Sequence, residues 1–561
     1  MTLPSTPPRR IVIIGGVAGG MSAATRLRRL DESLDIVVVE RTNHVSYANC
    51  GLPYYVGGVI TERQSLLLQT PASLGARFRL DVRVATEVTA IDPDQRVVTL
   101  RAITDGVEST LGYDELVLSP GARPVVPPIP GIERALALRS VEDTDRLSSA
   151  VALATGATAG PATAVVIGGG FIGLEVAENL AHRGMRVSLV EATDQVMAPL
   201  DPEMAAIVHA RLRDQGVDLH LSDAVTSISE HRVELASGAS LPADLVVAAI
   251  GVRPETALAT AAGVALGPRG GIAVDEHFAT NVEHVWAIGD AVEKIDGLTA
   301  EHTLVPLANT ANRQGRVLAD VLCGRSGKDR PTLGTAIVSV FGLTVAVTGL
   351  NEKRLRAAGR PVRVIHTHPA SHASYYPGAE TMSIKLLVDP DTDAILGAQA
   401  VGGDGVDKRI DVIATAIAGG LTASDLADLE LAYAPPYGSA KDPVNMLGYV
   451  DQNLATGLTR SIQWHELADA MAAGEAVIDV RTEGEFAAGA IPGAINLPLD
   501  ELRERLTELP EGPLVVHCAV GVRGHAAARL LAEHGRESRN LDGGYKTWVV
   551  SPAATSIALA S

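Results

Sequence analysis

The chain has 561 residues, a formal net charge of -19 at pH 7, 46% hydrophobic residues, 55 glycines and only 3% aromatics. That length suits roughly four ordinary domains; the acidic balance argues against non-specific nucleic-acid or anionic-membrane binding and leaves room for a local basic pocket. Three distant cysteines, Cys50, Cys323 and Cys518, make no disulfide framework, and with no apolar leader and no membrane-length apolar run the expectation is a cytoplasmic protein.

After the polar, Pro-rich stretch Met1–Arg10, the first strand is read at Arg10–Ile14. It breaks into Gly15-Gly16-Val17-Ala18-Gly19-Gly20 and a helix from Met21 to Leu30; a second strand, Asp35–Val39, ends in Glu40. Such a unit brings pyrophosphate to a helix N-terminus and a carboxylate to a ribose hydroxyl. Gly15 and Gly20 fill two fingerprint positions, and Val17 takes the middle one. The unit recurs with all three glycines, Gly168, Gly170 and Gly173, between strands Ala164–Ile167 and Arg186–Val190, the second closed by Glu191. A further strand, Val285–Ile288, ends in Gly289-Asp290. This duplication predicts an α/β flavoprotein that binds two dinucleotides.

Cys50 lies ten residues past Glu40 with no second cysteine near it. A lone thiol beside a flavin is oxidised to a sulfenic acid, a persulfide or a mixed disulfide, never to an internal disulfide. Gly51, Leu52 and Pro53 predict a helix start, which favours a thiolate and a pKa below the usual ~8.5. Cys323, in the helical run Val317–Leu322, reads as structural.

After Leu333 the chain is strand-rich, at Thr335–Thr348, Val362–His366 and Ser383–Val388. A helix from Lys408 to Ala418 and the Pro-rich loop Ala432–Tyr437 complete an α+β interface domain. The short polar stretch Asp451–Arg460 sets off a tail of ordinary domain size. Its strands, Ala476–Val480 and Leu514–His517, the latter leading into Cys518, precede a helix from His525 to Glu533 and the run Asn540–Tyr545.

Residues 10–450 resemble the single-cysteine branch of the pyridine-nucleotide disulfide oxidoreductases, that of coenzyme A-disulfide reductases and NAD(P)H persulfide or sulfur reductases. The segment Ser46-Tyr47-Ala48-Asn49-Cys50-Gly51-Leu52-Pro53-Tyr54 carries the resemblance most specifically. Residues 461–550 are similar to a rhodanese domain. The resemblance implies two Rossmann-like domains, FAD-binding at 1–150 and 281–330 and NAD(P)H-binding at 151–280. It adds an α+β dimerisation domain at 331–450 and a C-terminal α/β rhodanese domain at 461–555. It also implies a homodimer using FAD and NAD(P)H, coenzyme A as substrate or bound thiol, and no metal.

Residue by residue, the resemblance places Cys50 beside the flavin and brings Tyr375 and Tyr433 from the other subunit to assist it. Ser22, Arg26, Arg29, Ser46, Asn49, Asn312 and Lys441 fall where the family contacts coenzyme A, Arg26 and Arg29 on one helical face that suits phosphate. Glu40, Arg41 and Asp290 are expected to hold FAD, and Glu175 to lie near the nicotinamide carboxamide. Glu191 favours NADH by accepting the ribose 2′-hydroxyl; Arg183 and Arg186 leave NADPH open.

In the tail, four residues separate Cys518 from Arg523. Cysteine phosphatases use a wider loop; the tighter one matches rhodaneses, whose N–H groups surround a sulfane sulfur. Arg523 is expected to steer an anionic donor, and Ala490 stands where such domains often have histidine. The reaction implied is reduction of coenzyme A disulfide, persulfide or polysulfide through a mixed disulfide at Cys50, with sulfane sulfur handled at Cys518. Two rivals stay open: an NADH oxidase or peroxidase cycling Cys50 sulfenic acid, although Val17–Met21 lacks the histidine usual there, and a rhodanese domain serving only as a sulfur-carrier docking module.

Overall fold

The computed structural model describes residues 8–157 and 160–554; the outer ends of the expected first and last domains, and residues 158–159, lie outside them. The chain forms two compact units: one runs to Asp194 and resumes over Gly216–Thr332, the other comprises Gln195–Gln215 and everything from Leu333 onward. Within the expected 151–280 block, therefore, Gln195–Gln215 packs with the second unit. Among the described residues no helix is long and apolar enough to cross a membrane.

The first unit is built twice from one plan. Its first sheet has the order Val285–Ala287, Glu115–Leu118, Arg10–Ile14, Asp35–Val39, Asp81–Arg83, all parallel. Its second has the order Asp218–His220, Arg186–Val190, Thr163–Ile167, Leu245–Ala248, again parallel. Each has a three-stranded antiparallel companion, one at Thr86–Asp92, Val97–Ala102 and Glu108–Gly112, the other at Val225–Ile228, Arg232–Leu235 and Ser240–Pro242. A strand's side chains alternate between faces, so Arg10–Ile14 feeds two cores: Val12 and Ile14 pack into one, Ile11 and Ile13 into the other. A parallel sheet covered on both faces needs such a continuous apolar run.

The second unit contains an antiparallel sheet of order Ala336–Val340, Leu343–Gly349, Ile395–Gly402, Met382–Val388, Arg363–Thr367. The strand-rich segment Thr335–Thr348 is a hairpin. Phe341 (φ 49°) and Gly342 (φ 76°) form its turn, and two consecutive positive φ values give the twist of a tight two-residue connection. The helices Val406–Gly419 and Pro443–Ala455 add Ile410, Ile413, Val444 and Leu447 to the core on this sheet. The second helix runs through much of Asp451–Arg460, which sequence alone treated as a spacer. A final parallel sheet has the order Ser461–Ile462, Ser538–Leu541, Leu514–His517, Ala476–Asp479, Ile495–Asn496.

Candidate active site

The two glycine turns of the first unit share their backbone geometry at the same positions. Gly15 and Gly168 both take φ +105°. A β-carbon on Gly20 would lie 1.9 Å from the Gly15 carbonyl oxygen, and one on Gly173 would lie 1.9 Å from that of Gly168. Only glycine permits this φ and this approach of helix to strand. Gly170, by contrast, has open space where its β-carbon would go, so a side chain at the middle position, Val17 in the first turn, meets no steric objection.

The closing acids repeat as well. Glu40 accepts the Gly16 N–H at 2.8 Å through Oε2, and the Thr42 N–H and hydroxyl at 2.8 Å through Oε1. Glu191 does the same with the Gly169 N–H at 2.8 Å and with Thr193 at 2.9 Å. Each carboxylate is thereby fixed beside its phosphate turn. Arg41 is exposed next to Glu40. At the end of Val285–Ala287, Asp290 has a buried Oδ1 with no hydrogen-bond partner among the described residues. An orphaned acceptor there fits a ligand hydroxyl, so the first turn, Glu40 and Asp290 fit the FAD that the duplicated fold implies. Burial raises the Asp290 pKa, and the buried Lys294 ammonium, which donates to Gly289 O at 2.9 Å, pulls the other way. Lys294 went unnoticed in the sequence because nothing local marks it.

Cys50 sits in a single 3-10 turn, Asn49–Gly51, followed by the short helix Leu52–Val56. It reaches the surface of the unit. The expected depressed pKa is not found: partial burial first, then the Glu175 and Asp290 carboxylates, push the thiol up. Burial and two nearby carboxylates thus act together, against a helix of only five residues. Glu175 is itself raised by burial and accepts the Tyr54 hydroxyl at 3.1 Å.

The residues expected at coenzyme A are partly gathered. Ser22 donates to Asn312 at 2.5 Å, and Ser46 takes φ 46° beside Gly16, whose carbonyl accepts its N–H. Asn49, with its amide turned to satisfy both groups, meets Arg139 O at 3.1 Å and Nη1 at 2.7 Å. Arg26 and Arg29, read as a pair, are divided: Arg26 is bound to Asp320 at 2.8 Å, whereas Arg29 lies 5.9 Å over the Phe78 ring.

In the second unit the Tyr375 and Tyr433 hydroxyls are 2.9 Å apart, although 58 residues separate them. They are 73% and 47% exposed, an outward-facing phenol pair. Tyr376 packs its ring edge-on against His372 instead. Lys441 is exposed immediately before Asp442, which caps the helix Pro443–Ala455.

Cys518 is fully buried, and its sulfur accepts the Gly521 N–H at 3.2 Å. Gly521 takes φ +96° to turn the loop into the helix Val522–Glu533. The loop is clamped from behind: Tyr545 N–H donates to Cys518 O at 2.8 Å and Lys546 N–H to Ala519 O at 2.9 Å. Gly544 must be glycine, since a β-carbon there would lie 2.5 Å from Cys518 O. Behind the thiol, Arg481 pairs with Asp479 at 2.7 Å and lies 4.1 Å over the Tyr545 ring. Arg523, expected to steer an anionic donor, is gripped by Glu485 through both Nη atoms, at 2.8 and 2.7 Å.

One cluster in this unit escaped the sequence entirely. The buried Lys385 ammonium lies 2.9 Å from Asp201, 2.6 Å from Glu203 and 2.6 Å from Glu352. Three carboxylates so disposed resemble a cation site, but the ammonium is the cation. Glu203 also meets His366 Nε2 at 3.0 Å, while His366 Nδ1 meets Asp542 at 2.6 Å. Burial alone would lower the imidazole pKa; the carboxylates of Asp542 and then Glu203 override it and push it up to about 9.

These features agree with what the chain resembles. Residues 9–315 match the pyridine nucleotide-disulphide oxidoreductase model, 335–443 the dimerisation domain of that family, and 463–551 the rhodanese-like domain. A reduced CoADR-RHD from Bacillus anthracis is 50% identical, with a TM-score of 0.94 over 97% of this chain and 98% of that one. An NAD-dependent persulfide reductase from A. fulgidus is 39% identical, with a TM-score of 0.90 over 96% of this chain and 100% of the other. A coenzyme A disulfide reductase of Staphylococcus haemolyticus is 33% identical over 447 residues, which is 80% of this chain and 100% of the relative. The chain belongs to the pyridine nucleotide-disulphide oxidoreductases, flavoproteins driven by NAD(P)H, and carries a rhodanese-like domain at its C-terminal end.

Proposed function

We propose that the protein is an FAD-dependent NAD(P)H reductase of coenzyme A disulfide and of coenzyme A persulfide or polysulfide, acting as a homodimer, with sulfane sulfur handled at Cys518. The observation that carries this reading is the isolation of Cys50. Cys323, the other thiol of its unit, packs at the edge of a hydrophobic core, so the partner of Cys50 in any disulfide comes from a substrate. FAD held at the first glycine turn by Glu40, Arg41 and Asp290 would supply the route for an electron pair from NAD(P)H to that disulfide.

The chain's own residues do the rest. The Cys50 thiolate attacks one sulfur of coenzyme A disulfide, forms a mixed disulfide and releases one coenzyme A thiolate. With a persulfide it attacks the thiol-bearing sulfur and expels hydrosulfide. Tyr375 and Tyr433, exposed and bonded to each other, are suited to reach the other subunit's Cys50 and donate a proton to the leaving thiolate. Partial burial first, then Glu175 and Asp290, raise the Cys50 pKa. Ser22, Arg26, Arg29, Ser46, Asn49, Asn312 and Lys441 are the proposed coenzyme A contacts. Glu40, Arg41 and Asp290 are those for FAD, and Glu175 and Glu191 those for the nicotinamide nucleotide.

The test is the small thiol that the purified protein releases when treated with reductant. Its mass is expected to be that of coenzyme A, liberated from Cys50; release of a different thiol overturns the substrate assignment. A second expectation concerns the nucleotide. Glu191 is locked beside its turn and would repel a 2′-phosphate, while Arg183 is committed to Val56 O at 3.1 Å. NADH should therefore exceed NADPH in kcat/KM by tenfold or more, since ~1.4 kcal/mol of discrimination suffices for that. A preference for NADPH would show Arg186 dominating.

A further inference from the structure

Arg523 is the one cation of the loop Cys518-Ala519-Val520-Gly521-Val522-Arg523, and it is not available as a free charge. Glu485 holds it in a two-pronged pair whose partners are equally exposed, at 37% each. The carboxylate is fixed in turn by the Thr482 N–H and hydroxyl, both at 3.0 Å. The Arg523 guanidinium and then the Thr482 groups hold the Glu485 pKa down to about 2, so the pair stays ionised across the working pH range. Of the loop's apolar residues, Val522 is 60% exposed and Ala519 and Val520 are half-buried. Lys546 is clamped to Ala519 by its backbone; burial first, and then the Lys546 ammonium, lower the His368 imidazole.

A dianion entering here meets an arginine that faces Cys518 but is already paired to a fixed carboxylate. That carboxylate stands as a like charge against a dianionic donor, at a site open enough for salt to screen it in part. A donor whose sulfane sulfur is carried on a carbon chain has the opposite fit, with an apolar stem for the valines.

Building on the proposed sulfur chemistry at Cys518, we infer that Glu485 determines donor specificity: by neutralising Arg523 it selects organic persulfides, R–S–SH, and rejects the thiosulfate dianion. In the transfer the Cys518 thiolate attacks the outer sulfur of R–S–SH. The Cys518 Sγ–S bond forms, the donor S–S bond breaks, and the proton of the transferred outer sulfur passes to the departing thiolate, which leaves as R–SH. Cys518 is oxidised to the persulfide anion as the donor is reduced to a thiol, so atoms, electrons and charge balance.

The experiment uses the full-length protein, with sodium thiosulfate and the persulfide of N-acetylcysteamine as donors. The rate of addition of one sulfur to the Cys518 peptide is read by mass spectrometry, with the Cys50 peptide scored separately. The wild type should load at least about tenfold faster from the alkyl persulfide. Glu485→Gln should raise the thiosulfate-to-persulfide rate ratio about tenfold. Thr482→Ala, which loosens the same carboxylate and leaves its charge on Arg523, should keep the wild-type ratio. Equal loading of the wild type from both donors, an unchanged ratio in Glu485→Gln, or an equal rise in Thr482→Ala would each overturn the role of Glu485 and leave sulfur transfer at Cys518 standing. Loading from neither donor in any of the proteins would overturn the sulfurtransfer reading and this inference with it.

Discussion

Cys50→Ser is expected to keep its FAD and lose coenzyme A-disulfide turnover by at least about a thousandfold, close to 4 kcal/mol of transition-state stabilisation. A serine hydroxyl forms no disulfide, and no sulfur of the unit can replace Cys50, since Cys323 is tied into the core packed around Leu27 and Leu318. FAD retention follows because Cys50 makes none of the contacts at the first glycine turn, where Glu40 and Gly16 are joined. The measurements are the absorbance spectrum of the purified variant, its bleaching by NADH, and steady-state oxidation of NADH with coenzyme A disulfide. Spectrum and bleaching should match the wild type while turnover vanishes. Appreciable turnover would eliminate the mixed-disulfide route.

The largest stability effect is expected at Lys385. Lys385→Met keeps the length of the side chain and leaves Asp201, Glu203 and Glu352 converging on an apolar methyl group. Removing one partner from a buried ionic cluster costs about 3–5 kcal/mol, so the midpoint of thermal unfolding should fall by roughly 10 °C or more. Neutralising two of the acids in the same protein, Glu203→Gln with Glu352→Gln, should recover much of the loss. If it does not, the cost is one of packing and not of charge.

The cluster also sets a pH dependence. The His366 pKa is raised from its ordinary 6.5 to about 9, so the stability it contributes is fully present below pH 6.5 and is lost as pH climbs through about 9. Glu203 behaves oppositely. Although burial disfavours its charge, Lys385 and His366 hold it well below the usual carboxylate range, so its contribution is present above that range and fades in acid.

How much of this was legible beforehand depended on distance along the chain. The glycine turns and their closing acids lie within some 25 residues of one another, and the fixed spacing makes Gly15, Gly20, Glu40 and their second copies readable from the sequence. Cys50 and Cys518 could be singled out because a thiol carries its chemistry wherever it lies. The surroundings of each could not. Partial burial of the thiol, with Glu175 and then Asp290 brought near it by other parts of the fold, is what set the direction of its pKa against expectation, and none of these is marked in the local sequence. Glu485 lies 38 residues before Arg523, and Lys385 meets Glu203 across 182 residues. No local pattern marks a lysine whose partners are brought in by another layer. The hairpin at Phe341-Gly342 was missed for a related reason: the flanking residues read as one apolar run, and phenylalanine seldom takes a positive φ.

Asp542 sits one residue before the Gly543-Gly544 turn that backs the Cys518 loop, yet its carboxylate is spent on His366, a residue of the Arg363–Thr367 strand. Gln463 adds a bond to Val364 O at 3.2 Å, and Thr547 one to His368 at 2.8 Å. The buried charge balance of His366 is thus shared with the C-terminal domain, and cutting the chain within residues 451–460 would leave the imidazole with Glu203 alone of its two carboxylate partners. The reductase part is not separable by a cut at the join alone: His366 and its neighbours would have to be rewritten for a life without Asp542.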